Sequence, residues 1–263
     1  MSRARGRGSE SEPSGDAIRL AGVAKRLGTK VVLDGLSLSV PVGKTYAIIG
    51  RSGAGKSVTL KHVVGLIVPD KGTVSVLGSD VARLGRADLA RHRKRIGYLF
   101  QDGALLAWMT VAQNVALPLF EHERLGRKEV ARRVAEKLAR VGLADAGGKY
   151  PSELSGGMRK RAGLARALIR EPELVLYDEP TSGLDPVMSS QINELIVDVR
   201  DSLGVTSVVV THDMTSAYRI ADRIGMLYEG KLVGEGTPDE IRSTDHPVIR
   251  QFIEGRIDGP IRA

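Results

Sequence analysis

Residues 50–57 carry the clearest chemical pattern in the chain. They spell GRSGAGKS and fill every fixed position of the pattern G-x-x-x-x-G-K-[ST]. A loop of this kind points backbone N–H groups inward at the positive end of a helix and so forms a nest for phosphate groups. We therefore expect Lys56 to reach the β- and γ-phosphates of a nucleotide, and Ser57 to be a ligand of Mg²⁺.

The segments on either side of this loop favour the strand–turn–helix context that the pattern requires. Residues 46–49 form an apolar run typical of a buried strand, and residues 58–64 suit the first turns of a helix. A chance glycine-rich turn is the alternative, and the complete pattern with these flanks argues against it. The residues predicted to surround the phosphates are Gly50, Arg51, Ser52, Gly53, Ala54, Gly55, Lys56, Ser57 and Val58.

Two acidic residues, Asp178 and Glu179, follow the apolar run 174–177. Ligands of open α/β sheets bind at the carboxyl ends of the strands, so these carboxylates are expected beside the phosphate loop. Hydrolysis needs a carboxylate for the metal ion and a group that activates water. Asp178 suits the Mg²⁺ shell and Glu179 suits the general base. A paired acidic turn that caps the next helix would be the preferred interpretation if the phosphate loop were absent.

A second glycine-rich segment, LSGGM, occupies residues 154–158. Ser155 suits the N-cap of a helix expected over residues 159–170, and the two glycines allow a ligand to approach the backbone closely. The basic start of that helix predicts a second anion-binding helix end. Many helices begin in this way, so the segment is a weak signal on its own.

The pattern along the chain predicts an α/β fold. Apolar alternation over residues 18–40 and a short strand at 72–78 indicate an antiparallel β-subdomain in front of the phosphate loop. Later strands expected at 96–100, 174–177, 206–210 and 223–228 are separated by helical stretches, which implies a mainly parallel sheet. Helical spacing with few strand signals predicts a helical insert over about residues 102–171.

The composition of the chain limits the kinds of site and segment that it can contain. The chain has 263 residues, no cysteine and a net charge of +8, so disulfides and thiolate metal sites are excluded. No apolar run approaches the roughly 18–20 residues of a membrane helix. The positive charge suits nucleic acid, an anionic membrane surface or simply a well-solvated protein. Residues 1–15 lack an apolar core and are predicted to be a disordered polar tail rather than a signal peptide.

In their order along the chain, these motifs resemble the ATPase subunits of ABC transporters. The resemblance covers about residues 17–240 and includes Gln101 after its strand, the segment 182–185 and His212 after the strand 208–210. It implies a P-loop NTPase (RecA-like) fold with a mainly parallel sheet core, an antiparallel β-subdomain and a helical insert. It also implies ATP and Mg²⁺ as cofactors. We call residues 154–158 the signature segment from here on.

The resemblance further implies a head-to-tail homodimer that closes two ATP molecules between its subunits. Each site would pair the phosphate loop of one subunit with the signature segment of the other, through Ser155, Gly156 and Gly157. Asp185 would support the dimer contact. Gln101 would join the Mg²⁺ shell with Ser57 and Asp178 and report to a membrane partner. His212 would contact the γ-phosphate and hold Glu179 and the water, although an ordinary strand-end histidine is the alternative.

Two positions depart from the family pattern. The signature segment ends in Met158 where glutamine is usual, and Leu27 stands where an aromatic residue usually stacks on adenine. Base stacking and the preference for ATP over GTP are therefore expected to be weaker.

Three segments resemble a narrower group, the ATPases of lipid-transporting ABC systems that work with MCE proteins, including the bacterial Mla system. The segments are residues 154–161, residues 100–119 and residues 251–260. This resemblance implies phospholipid transport through a separate permease, with an MCE protein and a STAS-type regulatory subunit, at the cytoplasmic face of the inner membrane. The alternatives are an importer ATPase for a polar solute and a non-transport ABC protein acting on DNA or ribosomes. A single cassette without a heptad run disfavours the last, so no nucleic acid is expected.

The resemblance divides the chain into three parts, namely the tail 1–15, an ATPase domain 16–240 and an extension 241–263 that contacts a partner or the other subunit. Just after Gln101, the large apolar residues Leu105, Leu106, Trp108 and Met109 predict a groove for a permease helix. Packing of Trp108 in the core is the alternative. The basic runs 91–95 and 159–161 are expected to be solvated faces, with anionic headgroups as the other possibility.

Overall fold

The computed structural model describes residues 15–123 and 125–261. The predicted polar tail therefore lies outside the described residues except for Gly15. The strands are β1 (Asp16–Leu27), β2 (Lys30–Pro41), β3 (Thr45–Ile49), β4 (Lys71–Val76), β5 (Ser79–Asp80), β6 (Ile96–Leu99), β7 (Leu174–Asp178), β8 (Thr206–Thr211), β9 (Arg223–Tyr228) and β10 (Lys231–Gly236). The α-helices are α1 (Lys56–Val63), α2 (Arg86–Arg93), α3 (Val111–His122), α4 (Arg127–Arg140), α5 (Gly156–Leu168), α6 (Pro186–Leu203), α7 (Met214–Ile220), α8 (Pro238–Ser243) and α9 (Pro247–Glu254).

The central sheet has the order β10-β9-β3-β8-β7-β6, and its strands are parallel except for the antiparallel edge pair β9–β10. In this register Ile48 of β3 lies between Val210 of β8 and Gly225 of β9. All the residues of β3 and β8 are buried. Continuous apolar runs are typical of strands covered on both faces, which explains why these segments carry no alternation. The predicted mainly parallel core is confirmed.

Residues of β7 and β8 alternate between two hydrophobic clusters, as the period of a strand requires. Leu174, Leu176, Val208 and Val210 pack toward the antiparallel sheet and α1. Val175, Tyr177 and Val209 pack toward the helical layer. The central sheet is thus the middle layer of the molecule, and its carboxyl-terminal edge is where the two outer layers meet.

A second sheet has the order β2-β1-β4-β5 with antiparallel pairing throughout. Ile18, Leu20 and Val23 of β1 are buried, whereas their neighbours Arg19, Ala21 and Gly22 are exposed. This alternation produces one apolar face, which covers the central sheet. The predicted antiparallel β-subdomain is confirmed.

The helical layer consists of α3, α4 and α5, which pack on one another. Val130, Val134 and Leu138 of α4 are buried at helical spacing, as predicted. Helix α5 begins at Gly156 and not at residue 159, so the predicted start was wrong by three residues. The Ser155 hydroxyl accepts a hydrogen bond from the backbone N–H of Met158, which places both glycines in the first helical turn.

The C-terminal residues pack on the outer strands β9 and β10. Ile241 of α8 and Ile249 of α9 are buried in one cluster with Met226 of β9. The Gln251 carboxamide accepts from Ile261 N at 2.7 Å and donates to Ile261 O at 3.1 Å, so it holds the last described segment. Across residues 15–123 and 125–261, none of the helices has the length and apolar character needed to span a bilayer.

Candidate nucleotide-binding site

The phosphate loop lies between β3 and α1, at the carboxyl edge of the central sheet. Two of its glycines are required by close packing. A Cβ on Gly50 would lie 2.3 Å from the carbonyl oxygen of Leu227, and one on Gly55 would lie 2.9 Å from that of Val32. Both residues also have positive φ angles, which glycine adopts without strain. The loop is therefore held tightly against neighbouring backbone.

Lys56 is the first residue of α1, and its side chain folds back over the loop. Its Nζ donates to Gly50 O at 2.7 Å and to Arg51 O at 3.2 Å. The same Nζ lies 3.4 Å from Glu179 Oε1, and both side chains are largely buried. A cation is thus placed inside the loop, where phosphate oxygens would be attracted to it.

Asp178 ends β7 and faces the start of α1. Ser57 Oγ donates to Asp178 Oδ1 at 3.0 Å, and the Tyr98 hydroxyl donates to Asp178 Oδ2 at 3.1 Å. Burial is the main cause that raises the pKa of Tyr98, so its hydroxyl keeps its proton and remains a donor. Sequence reasoning missed Tyr98. The sequence signal for Tyr98 was its position on β6, the strand before Gln101. This strand pairs with β7, which ends in Asp178.

Glu179 has a left-handed backbone conformation, with φ +50°. Its N–H donates to Val210 O at 2.9 Å, which ties it to the end of β8. Its Oε2 lies 2.9 Å from His212 Nδ1. Since Oε1 faces Lys56, the carboxylate lies between a lysine and a histidine. Three predicted catalytic side chains, those of Lys56, Glu179 and His212, are therefore brought together by different elements.

These residues line a cleft of about 650 Å³. Gln101 and Ser182 also line it, and Leu27 lies at the position predicted for adenine stacking, with 44% of its surface exposed. The cleft is large enough for a nucleotide. At the end of the cleft predicted to hold adenine, the chain presents the Leu27 side chain, where stacking would need an aromatic ring.

The signature segment is located elsewhere. Among the residues described, Ser155, Gly156 and Gly157 do not line this cleft. They pack next to the start of α6, since a Cβ on Gly157 would meet Met188 and one on Gly156 would contact Leu184. Asp185 caps α6, because its Oδ1 accepts from Val187 N and Met188 N, each at 2.9 Å. The signature segment and Asp185 thus form one surface of the chain, separate from the phosphate loop.

The basic runs were predicted to be solvated, and for two residues this was wrong. Lys160 is only 4% exposed, and its Nζ donates to Glu179 O at 3.1 Å and Ser182 O at 2.5 Å. His92 is also buried. A helix that packs on the core turns one residue in every three or four toward it, which explains why Lys160 and His92 are buried within basic runs.

Trp108 is 73% exposed, so the alternative of core packing is wrong for this residue. Leu105 packs partly against the helical core, and Leu106 and Met109 are half-buried. Phe120 on α3 is also exposed, at 63%. The helical layer thus presents large apolar side chains to solvent.

A protein-family model described as ABC transporter matches residues 33–182, which is more than half of the chain. The chain belongs to the ABC transporter family. This membership and the geometry of the cleft agree with the ATPase class predicted for it, and the predicted P-loop α/β fold is confirmed. In this ABC ATPase the matched region runs from β2 to the turn that follows Glu179.

Several curated relatives resemble this ABC ATPase over most of its length. The intermembrane phospholipid transport system ATP-binding protein MlaF of Escherichia coli (strain K12) is 42% identical over 234 residues, which cover 89% of this chain and 87% of that protein. The protein of the same name from Haemophilus influenzae is 39% identical and is covered to 93%, as is this chain. The probable ribonucleotide transport ATP-binding protein mkl of Mycobacterium tuberculosis (strain H37Rv) is 42% identical, covering 96% of this chain and 70% of that protein.

Solved structures share the fold of this ABC ATPase. A dimeric, post-hydrolysis form of the ATP-binding cassette MJ0796 bound to ADP and Pi matches with a TM-score of 0.78 and 31% identity, covering 84% of this chain and 98% of that one. The cbiO1 protein from Clostridium perfringens, part of the ABC transporter complex cbiONQ, matches with a TM-score of 0.80 and 27% identity, covering 92% and 96%.

Proposed function

We propose that this ABC ATPase binds and hydrolyses ATP to drive phospholipid transport through a separate permease. The observation that carries the proposal is the placement of the Glu179 carboxylate between Lys56 and His212, at the mouth of the cleft formed by the phosphate loop. Glu179 Oε1 occupies the position beside Lys56 Nζ that a phosphate oxygen of ATP would take. When ATP enters, Lys56 would turn to the β- and γ-phosphates, and Glu179 Oε1 would become available as a base.

The reaction would then need little covalent participation by the protein. Glu179 accepts a proton from the attacking water, whose oxygen bonds to the γ-phosphorus, and the bond to the bridging oxygen breaks to release ADP. His212 holds Glu179 through Oε2 and would contact the γ-phosphate. Residues 50–58 bind the phosphates through their backbone N–H groups at the start of α1.

Ser57, Asp178 and Gln101 fit a Mg²⁺ ion. Mg²⁺ is commonly held by one or two protein oxygens together with water and substrate phosphates, and the hydroxyl of Ser57 lies 3.0 Å from an Asp178 oxygen. In the described part of the chain no group of three or more His, Cys, Asp or Glu side chains could hold a metal, so the phosphates would supply the remaining ligands. Bound there, Mg²⁺ would neutralise the charge that develops on the phosphate oxygens.

A second copy of the chain would complete the site. Ser155, Gly156 and Gly157 lie outside the cleft, on the surface that also carries Asp185, and this supports a head-to-tail homodimer. In that dimer the signature segment of each copy contacts the ATP held by the other. The dimeric structure of the MJ0796 cassette supports a dimer of this chain. The extension 241–263 would add contacts to a partner or to the other copy.

The MlaF relatives support phospholipid as the transported substance. The partners would then be a permease, an MCE protein and a STAS-type regulatory subunit, and the chain would be peripheral at the cytoplasmic face of the inner membrane. No nucleic-acid partner is proposed. The mkl relative, whose name specifies ribonucleotide transport, favours a second candidate, namely import of a polar solute.

The exposed apolar side chains after Gln101 support a docking groove for a permease helix. Trp108 would be the anchor, since a large exposed aromatic side chain contributes strongly when an interface buries it. We expect Trp108→Ala to reduce the amount of permease that remains bound to the affinity-purified chain. Val68→Ala, at a similarly exposed apolar residue distant in sequence, is the matched control and should retain the permease.

The test is purification of the tagged full-length chain with its membrane partners in mild detergent, followed by mass spectrometry and an ATPase assay. Recovery of an MCE protein and bound phospholipid, with turnover that rises when phospholipid is added, would support the proposal. A solute-binding protein together with stimulation by ribonucleotide would overturn phospholipid transport in favour of the polar solute. Absence of ATP hydrolysis in the complex would overturn the ATPase assignment itself.

A further inference from the structure

Lys160, in the second turn of α5, is a buried cation in an unusual environment. It is 4% exposed, and its ammonium group donates to two main-chain carbonyls, those of Glu179 and Ser182. A buried lysine loses hydration energy, so hydrogen bonds to fixed oxygens must compensate for that loss. The contact therefore joins α5 firmly to residues 179–182, which we call the Glu179 turn.

The Glu179 turn depends on such contacts for its shape. Glu179 has φ +50°, a conformation that non-glycine residues keep only where the surroundings hold them in it. Its N–H is bound to Val210 O, and its carbonyl oxygen accepts from Ser182 N at 3.2 Å as well as from Lys160. The direction of the Glu179 side chain follows from this backbone, so Lys160 helps to aim the carboxylate.

Helix α5 connects the turn with two other parts of the machinery. Its first residues belong to the signature segment. Further along, Arg166 donates to Gly103 O and Ala104 O, each at 2.8 Å, and thereby holds the loop that follows Gln101. Gly163 lies directly against that loop, because a Cβ there would be 2.9 Å from Gly103 Cα. One rigid helix thus supports the signature segment, the Gln101 loop and the Glu179 turn.

We propose that Lys160 is a positioning residue that couples the signature segment to Glu179 of the same chain. The proposal rests on the proposed function. In the head-to-tail dimer the signature segment meets the nucleotide of the other copy, whereas Glu179 serves the nucleotide of its own copy. A shift of α5 on closure would be transmitted through Lys160 to Glu179. The two ATP sites of the dimer would communicate by this route.

The test compares three variants of the full-length chain by ATP turnover and by thermal unfolding. Lys160→Met removes the ammonium group and keeps the length of the side chain. Lys160→Arg keeps a cation that can donate to both carbonyls. Lys137→Met is the matched control, because Lys137 is also a helical lysine only 4% exposed, but it pairs with the exposed Glu136 and Glu171 away from the cleft.

We expect Lys160→Met to lower kcat by roughly ten- to a hundredfold, as misplacement by about 1 Å does, with KM for ATP nearly unchanged. Lys160→Arg should recover most of the turnover, and Lys137→Met should keep it. Coupling is measured by a double-mutant cycle with Ser155→Ala. If both residues act along one path, the combined loss of kcat is smaller than the product of the separate losses.

Wild-type turnover in Lys160→Met would overturn the proposal, as would a loss that Lys137→Met reproduces. If the two losses of kcat simply multiply in the double mutant, the proposed coupling between Lys160 and the signature segment is overturned. A raised KM with unchanged kcat would place Lys160 in nucleotide binding and would also overturn it. Each of these results leaves the proposed function intact, provided that the wild type hydrolyses ATP and Glu179→Gln does not. An inactive wild-type complex would overturn both the proposed function and the role of Lys160.

Discussion

The phosphate loop and the signature segment are two glycine-rich segments at the starts of helices, α1 and α5. In the first, the chain's own side chains converge, because Glu179 contacts both Lys56 and His212 beside the loop. In the second, Ser155 is exposed, and its hydroxyl is bound to the backbone N–H of Met158 within its own helical turn. Both helix ends favour an anion, and the side chains proposed for catalysis surround the first of them.

The difference shows that the N-terminus of a helix needs further groups around it to bind a phosphate tightly. Partial positive charge at the start of a helix attracts a phosphate weakly at the surface, where water and salt screen it. At the phosphate loop a buried cation and a closely packed backbone strengthen the attraction. Among the described residues, the signature segment itself contains no buried cation, so we infer that it acts on a nucleotide already held elsewhere. Four substitutions test this comparison.

Glu179→Gln should have the largest effect. The amide cannot accept the proton of the attacking water, so turnover should fall by at least about a hundredfold while ATP still binds. Phosphate release measures turnover, and light scattering should detect an ATP-dependent dimer that persists. Glu194→Gln, at an exposed glutamate of α6, is the control and should remain active. Turnover near the wild-type rate in Glu179→Gln would remove this residue from the role of base.

Lys56→Ala should weaken ATP binding by roughly ten- to a hundredfold, since the triphosphate loses a buried, charge-assisted donor. Equilibrium binding to the isolated chain is the measurement. Lys61→Ala, at an exposed lysine of the same helix, should bind ATP normally. An unchanged affinity in Lys56→Ala would contradict a self-contained phosphate site in the single chain.

Ser155→Ala should lower turnover by about tenfold and leave the ATP affinity of the isolated chain unchanged, because in the proposed dimer the segment contacts only the nucleotide of the other copy. The lost N-cap should also cost about 1 kcal/mol of stability. Thr237→Ala removes a comparable cap from α8 and serves as the control for that cost. A drop in ATP affinity of the isolated chain would show that the signature segment contributes to its own chain's site.

Leu27→Tyr should have the smallest effect. An aromatic ring at the adenine end of the cleft would stack on the base and tighten ATP binding by roughly three- to tenfold. It should also increase the preference for ATP over GTP. Leu66→Tyr, at an exposed leucine that does not line the cleft, is the control. Equal affinities for ATP in Leu27→Tyr and wild type would show that the base lies elsewhere.

Much of the fold follows from local patterns. The apolar runs at β3, β7 and β8 predicted buried parallel strands, and the alternation around Ile18 and Leu20 predicted the antiparallel sheet. The pattern ending in Lys56 and Ser57 and the pair Asp178 and Glu179 predicted a phosphate site at the sheet edge. These inferences succeed because each depends on neighbours along the chain, namely the period of the strand and the positions where strands end.

Other features depended on contacts between distant segments. The burial of Lys160 and the hydrogen bond of Tyr98 to Asp178 were not predicted, and the sequence left the exposure of Trp108 open against core packing. Each of these features is determined by which element packs against the side chain. Gly156 and Gly157 precede Lys160 on one face of α5. This helical spacing is the signal in the sequence that could have predicted the burial of Lys160. The N-cap Ser155 was predicted, but the start of α5 was placed three residues late because the two glycines that follow Ser155 disfavour a helix.

The positions of most strands along the chain, the phosphate loop and the acidic pair were therefore encoded in short stretches of residues, where spacing alone specifies geometry. The assembly of Lys56, Glu179 and His212 into one cluster and the separation of Ser155 from it were not. They arise because the parallel sheet brings the ends of strands distant in sequence to a single edge, while α5 carries its first turn to another surface. Long-range packing of this kind depends on the whole chain, and no short stretch specifies it.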